Sequence, residues 1–339
     1  TTGSCNVAIG RQALYGALSG TNNFAAGQCA LYSNWGGCRN AAIGSDALKC
    51  NTTGCSNFAV GLQNLQENTT GCVNIALGER TLKYNTEGSC NVGIGNSALC
   101  ANTTGSDNVA LGLALYSNTT GSCNNAIGMY ALSQQTTGDF NTAIGYTAMQ
   151  HHATGCHNIG IGHSALIRSL SSCHNFAAGC GALYCSWGGN YNTAIGRNSL
   201  HYNTQGCYNT AIGRQALCTN TTGCYNNAIG YQALYGNTTG CWNTAIGTET
   251  LVLNTDGCYN TALGKQALYN NTEGDHNTGI GQCALKRNTT GCHNTALGNA
   301  ALECNTDGCY NTALGNKALY TSLSGDHNFA AGHCALYSN

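Results

Sequence analysis

The sequence predicts an all-β chain folded as a single β-solenoid, a parallel β-roll or β-helix of twenty 17-residue coils. Three observations carry this. Gly10 recurs every 17 residues as far as Gly332, with one 16-residue step between Gly112 and Gly128. The repeats fill residues 1–339 as one continuous repeat domain, without a linker. Charged residues make up 7% of the chain, against about 25% in ordinary globular domains. A 17-residue period is too short for helical-hairpin repeats, which need about 33 residues, and suits one coil of stacked β-structure.

A typical coil runs Cys207-Tyr-Asn-Thr-Ala-Ile-Gly213-Arg-Gln-Ala-Leu217-Cys-Thr-Asn-Thr-Thr-Gly223. Columns are numbered here from the Gly of Ala-Ile-Gly as zero. Asn-Thr-Ala-Ile-Gly reads as a short strand. The Ala-Leu segment reads as a second short strand or bend. Asn-Thr-Thr-Gly reads as a turn in which Gly supplies a positive φ. Stacking is expected to bury Ile and Leu in continuous stripes. At ~4.8 Å per coil the array would be a rod on the order of 95 Å long.

The charges fall at corners, as at Arg11, Asp46, Glu87 and Lys265, and none falls in columns −4 to 0, +3 or +4. Strands uncharged on both faces are those buried on both sides. One face would line the coil interior and the other would meet a partner chain, and parity does not say which is which. Column −4 is Asn throughout, including Asn6, Asn23, Asn209, Asn226 and Asn243. It reads as a buried amide ladder bonded to itself and to the turns; an exposed recognition ladder is the alternative.

Phe24, Phe176 and Phe329 replace the usual residue in Asn-Phe-Ala-Ala-Gly, spaced 152 and 153 residues apart. That marks a nine-coil super-repeat. With no polar capping coil at either end, the chain reads as part of a longer array. It opens on Thr1 without a Met or a signal peptide, which suggests a mature product or a fragment. A net charge of −1 gives no electrostatic case for nucleic acid. No apolar run approaches the ~20 residues of a membrane span.

Asn-Val-Ala-Ile-Gly at 6–10 and the Asn-Thr-Ala-Ile-Gly units resemble the Asn-Ser-Val-Ala-Ile-Gly motif of YadA-like trimeric autotransporter adhesin heads. They are also similar to tail-fibre-like arrays of the same type. The resemblance spans the chain and implies a left-handed parallel β-roll, a trimer and a surface location. The adhesin-head repeat is usually shorter, and its members are usually poor in Cys, whereas this chain has 23.

No enzyme, cofactor or metal motif stands out. Gly93-Ile-Gly95-Asn-Ser-Ala98 and Gly160-Ile-Gly162-His-Ser-Ala165 mimic a dinucleotide fingerprint but are columns of the repeat itself. His151, His152, His157, His163 and His174 cluster over two coils, read as corner residues or, alternatively, a metal site. Column −5 is aromatic or imidazole from Phe140 onward, through Tyr191, Tyr208, Tyr225, Trp242 and Tyr259 to His327. It reads as a self-stabilising stack, or else as a platform for sugars or a neighbouring fibre. Sequons at Asn51, Asn68, Asn102, Asn118, Asn220, Asn237, Asn270 and Asn288 lie at the turn corner, read either as turn chemistry or as glycan acceptors.

Cysteine runs Cys38-Cys55-Cys72-Cys90, Cys156-Cys173, Cys207-Cys224-Cys241-Cys258 and Cys292-Cys309 all have even counts, as disulfide pairing up the stack would require. Cα atoms ~4.8 Å apart lie within the disulfide range. A rival pattern repeats in Cys29, Cys38, Cys50, Cys55 and in Cys283, Cys292, Cys304, Cys309, which could pair otherwise or hold a metal through four thiolates. Such cysteine use suggests an oxidising compartment. The functional expectation is an extracellular structural fibre or filament stapled by disulfides, with copies of itself as partners. The alternatives are a surface adhesin binding glycans and an ice-binding solenoid displaying Thr142, Thr193, Thr210, Thr244 and Thr261.

Overall fold

The computed structural model describes residues 3–338, which hold short strands and turns and no α-helix. Thr1–Ser171 and Ser172–Asn339 form two compact units, each a parallel β-solenoid. The first carries ten three-residue strands, β1 (Val7–Ile9) to β10 (Ile159–Ile161), and the second ten more, β11 (Phe176–Ala178) to β20 (Phe329–Ala331). Within each unit successive coils pair in register, for example Thr193↔Thr210, Ala194↔Ala211 and Ile195↔Ile212. The amides alternate in direction. Thr210 N–H donates forward to Asn226 O at 2.8 Å, and Gly213 N–H donates back to Ile195 O at 2.8 Å. β-branched residues at the outer strand positions suit this extended backbone.

The strand faces are now distinguished. Ala or Gly of column −2 points inward, and the Ala residues there are essentially inaccessible, from Ala25 to Ala330. Columns −3 and −1 point outward. The expected burial of Ile is therefore corrected: Ile43, Ile94, Ile161, Ile229 and Ile246 are 38–40% exposed. A 17-residue coil encloses so little space that Ala of columns −2 and +3 with Leu of column +4 fill it, leaving no room for a second branched side chain. Burying each Leu contributes about 1.5–3 kcal/mol.

The Ala-Leu segment is a bend, not a second strand. Columns +2 and +4 are left-handed, as at Gln215 (φ 60°) and Leu217 (φ 50°), and so is column −5, as at Tyr208 (φ 57°). Gln215 N–H thereby reaches back to Arg197 O at 2.9 Å, and Leu217 N–H reaches forward to Ala233 O at 3.0 Å. Each left-handed residue costs about 1–2 kcal/mol, offset by these bonds and by burial of the Leu.

Glycine serves two purposes. Column 0 has the positive φ, for example +123° at Gly264. The turn glycine of column +10 is needed for close approach instead: a Cβ on Gly257 would lie 2.5 Å from Asn254 Oδ1 and 2.7 Å from Gly274 O. The positive φ expected in the turn thus sits at the strand end.

Candidate functional site

Two amide ladders line the interior. In column −4, Asn226 N–H donates to Asn209 Oδ1 at 2.9 Å, and Asn226 Nδ2 donates to Gly240 O at 2.8 Å. Asn23 and Asn243 make the same contacts in their coils, and Asn6, in the first coil, donates from Nδ2 to Gly20 O and accepts the Asn23 amide on Oδ1. The second ladder, in column +7, was not foreseen. Asn237 Nδ2 donates to Asn220 Oδ1 at 2.7 Å and to Gly240 O at 2.9 Å, so one carbonyl joins both ladders.

Asn51, Asn68, Asn102, Asn118, Asn220, Asn237 and Asn288 all belong to this second ladder and are 0% exposed. The folded coil has no space for a glycan on any of them, which corrects the acceptor reading. Asn270 is the exception, half-buried one place earlier, while Asn271 occupies the ladder. The signal was present in the sequence. The column keeps Asn where no sequon exists, in Asn85-Thr-Glu, Asn203-Thr-Gln and Asn254-Thr-Asp.

Column −6 is a row of acceptors. Cys207 N–H donates to Cys224 Sγ at 3.1 Å, Cys224 N–H to Cys241 Sγ at 3.1 Å, and Cys241 N–H to Cys258 Sγ at 3.3 Å. Cys258 N–H donates to Asp275 Oδ1 at 2.6 Å, and Cys292 N–H donates to Cys309 Sγ at 3.2 Å. In the first unit Cys38 N–H and Cys55 N–H donate to the sulfurs of Cys55 and Cys72, after which Ser89 and Ser106 hydroxyls take over. Ser, Cys, Asp and Asn all serve because the column asks only for an acceptor on a short side chain, one or two bonds beyond Cβ.

Cys90 does not continue this row. It stands in column −5 and is exposed, while Ser89 accepts the Cys72 amide at 3.0 Å. The first row therefore ends at Cys72 with an odd count, and the even-count argument fails there. Cys156 falls in the first unit and Cys173 in the second. The rival tetrads are dispersed as well. Cys29 and Cys283 face Gln12 and Gln266 at 3.5 and 3.9 Å, Cys50 and Cys304 occupy another corner, and Cys38, Cys55, Cys292 and Cys309 belong to the rows. Among the described residues no three His, Cys, Asp or Glu side chains converge as metal ligands.

The environment of the thiols is uneven. Bonds from the Thr21 hydroxyl and amide draw the Cys38 thiol below its ordinary range. Burial pushes the Cys224, Cys258 and Cys292 thiols up, opposed by the backbone amide each accepts.

Column −5 forms a stack of rings. In the second unit Tyr191, Tyr208 and Tyr225 lie at centroid spacings of 4.9 Å with planes within 4° of parallel. Trp242 stacks on Tyr225 at 4.2 Å, and His276, His293, Tyr310 and His327 continue at 4.8–4.9 Å. In the first unit Phe140 stacks on His157 at 4.8 Å. A sugar packs on a ring face, and inside this stack the faces are taken by neighbouring rings. Only the rims meet solvent, with Tyr208 47% exposed.

The histidine cluster separates into different columns. His151 Nδ1 meets Gln134 Oε1 at 2.8 Å, and His163 stacks on Tyr146 at 5.5 Å. His174 stacks on Tyr191 in the second unit. His152 is buried in place of a ladder Asn, its ring nitrogens against Ser169 O and Gly155 O. Beside the 16-residue coil a groove of about 390 Å³ is lined by Leu113, Tyr116, Ser117, Tyr130, Ser133, Gln134 and Gln150. Compared with known protein-family models and with curated proteins, the chain matches none.

Proposed function

We propose that this chain is a structural protein of an extracellular fibre, its solenoid units associating sideways with copies of the same chain. The observation that supports it is the outward strand face. In each unit, ten coils present columns −3 and −1 without a single charge, and much of their Ile, Leu, Val and Phe is exposed. At ~4.8 Å per coil and about 10 Å of width, such a face covers on the order of 500 Å² per unit, as large as the biggest apolar patches that monomers carry. A catalytic role has no comparable support.

The trimeric adhesin-head reading shares this face, since a trimer would bury it. Its glycan-binding part is weakened by the occupied ring faces. The ice-binding reading keeps one observation in its favour. In the second unit the outward face pairs Thr193, Thr210, Thr244 and Thr261 with Ile or Leu two residues on, interrupted at Asn227.

Sedimentation and electron microscopy test the proposal. The unaltered chain should form filaments or lateral oligomers at tens of micromolar. Ile229→Lys with Ile246→Lys should release monomers with unchanged β-structure by circular dichroism. A monodisperse unaltered monomer would refute the fibre reading. Thermal hysteresis in its place would favour ice binding.

A further inference from the structure

One coil breaks the repeat, and the break leaves a groove. Other coils carry two residues between Gly and column +3, as in Gly128-Met129-Tyr130-Ala131, whereas Gly112-Leu113-Ala114 carries one. This coil therefore has no column +2 side chain and no left-handed residue between Gly112 and Leu115. Gly112 closes the step at φ 92°, against 119–140° for the other column 0 glycines. The stack absorbs the deletion. Leu115 N–H still donates forward to Ala131 O at 3.0 Å, and Tyr130 N–H still reaches back to Leu113 O at 3.0 Å. On the surface the missing side chain leaves the groove of about 390 Å³, wholly within the first unit.

The lining is neutral and mixed. Tyr116 and Tyr130 supply apolar surface, while Ser117, Ser133, Gln134 and Gln150 supply hydrogen-bonding groups. No lining side chain is charged, so an ionic ligand would lose its hydration without gaining a countercharge. Ser133 is 7% exposed, and its hydroxyl has no hydrogen-bond partner among the described residues. The nearby buried hydroxyls of Ser97 and Thr147 are paired, donating to Asn96 Oδ1 at 2.8 Å and Tyr146 O at 2.7 Å. The Gln150 amide is likewise without a partner among the described residues. Gln134 Oε1 accepts from His151 Nδ1 at 2.8 Å, which leaves the Gln134 Nε2 free to donate. The rings also differ from those of column −5. Tyr116 is exposed and stacks on no other ring among the described residues, and Tyr130 meets Tyr146 edge to face at 6.3 Å. Ring faces that the column −5 stack consumes are open here.

This lining calls for a neutral ligand with an apolar face and a rim of groups that both donate and accept. A pyranose sugar has that chemistry. Its C–H face packs on a tyrosine ring, and its hydroxyls pair with Ser and Gln side chains, which also donate and accept. The groove volume lies near the lower end of the roughly 300–1,000 Å³ of small-ligand sites, which suits one or two sugar rings. We infer that the notch at the 16-residue coil is a binding site for a neutral saccharide of one or two rings. The sugar packs against Tyr116 and Tyr130, and its hydroxyls bond the Ser133 hydroxyl and the Gln150 amide. The site occurs once because the 16-residue step occurs once.

Saturation-transfer NMR on the full chain tests this, with maltose, cellobiose, lactose and diacetylchitobiose as probes. It reads binding to monomer or filament alike, so its outcome is independent of the fibre proposal. Two variants close the groove within the rules of the coil. Insertion of Gln after Leu113 restores the pattern of Gly213-Arg-Gln-Ala-Leu217. Ser133→Tyr places there the residue that column +5 holds at Tyr116, Tyr235 and Tyr269. Circular dichroism checks that both fold. Tyr208→Ala, in the ring stack of the second unit, is the control. At least one probe should bind the unaltered chain and the control equally, and bind both groove variants about tenfold or more weakly. No transfer to any probe, binding that survives in either folded groove variant, or binding lost in Tyr208→Ala would each overturn the inference.

Discussion

Removing one amide from the column −4 ladder should destabilise the second unit by an amount the hydrogen bonds predict. Asn226 is 0% exposed. Its Oδ1 accepts the Asn243 amide at 3.0 Å, and its Nδ2 donates to Gly240 O at 2.8 Å. In Asn226→Ala the carbonyl of Gly240 keeps a second donor, Asn237 Nδ2 at 2.9 Å. The amide of Asn243 has no such substitute. Stranding one buried donor costs about 1–3 kcal/mol and losing the Nδ2 bond about 0.5–1.5 kcal/mol, so the expected loss is about 2–4 kcal/mol. Thr222→Ala, at an exposed corner one coil earlier, should stay within about 0.5 kcal/mol. Urea unfolding reads the totals. Hydrogen exchange reads the location, because coils in a stacked array interact mainly with their neighbours. Exchange at the Asn243 amide should accelerate roughly thirtyfold for each 2 kcal/mol lost. An Asn226→Ala protein that unfolds with the unaltered chain and protects Asn243 equally well would show that the ladder carries no stability.

Two further outcomes are expected. Leu234 is buried at φ 51°, so Leu234→Ile should cost more than the roughly 1.5 kcal/mol ceiling of an ordinary volume-conserving swap, because a branched Cβ is poorly tolerated in the left-handed region. Leu234→Met should stay below that ceiling, since Met149 holds the same column at φ 52°; thermal melts compare the two. Burial pushes the Cys218 thiol up from 9.0 to about 11. The stability that this neutral thiol contributes is complete below its unfolded pKa and is lost as pH rises from about 9 toward 11. Urea midpoints between pH 8 and pH 11 should therefore fall less steeply in Cys218→Ala than in the unaltered chain.

The period, the all-β class and the corner placement of charge were legible because stacking forces each column to repeat. Gly at column 0 and Leu at column +4 declare themselves by recurrence alone. Three things were not legible, each for a physical reason. Alternation shows that two strand faces differ but not which is inside; Ile outweighs Ala on any hydropathy scale, yet at column −2 the narrow coil, already filled by Leu of column +4, holds only Ala or Gly. Thr-Thr after Asn looks like a glycan signal, and only the coil's closure shows Asn51 or Asn237 turned inward. Adjacent cysteines such as Cys72 and Cys90 look stacked in a list, but an 18-residue step moves Cys90 into the ring column.

The interior and exterior columns therefore obey different rules. Columns −4, −2, 0, +4 and +10 are set by closure of the coil and barely vary between the two units. Column +7 varies more: Gln135, His152 and Ser186 still bond the turn, whereas Ala17 has no polar side chain and the buried Ser322 hydroxyl is unpaired. Columns −6, −5 and −3 face outward and change character along the chain. Column −3 shifts from Val, Phe and Ile in much of the first unit to Thr in most of the second. Column −5 shifts from Arg39, Ser56 and Val73 to a continuous ring stack. The same backbone carries both versions, so these outward differences are not demanded by the fold. The two units differ in the side chains that these three columns turn outward, and the proposed lateral contacts would meet that difference at column −3.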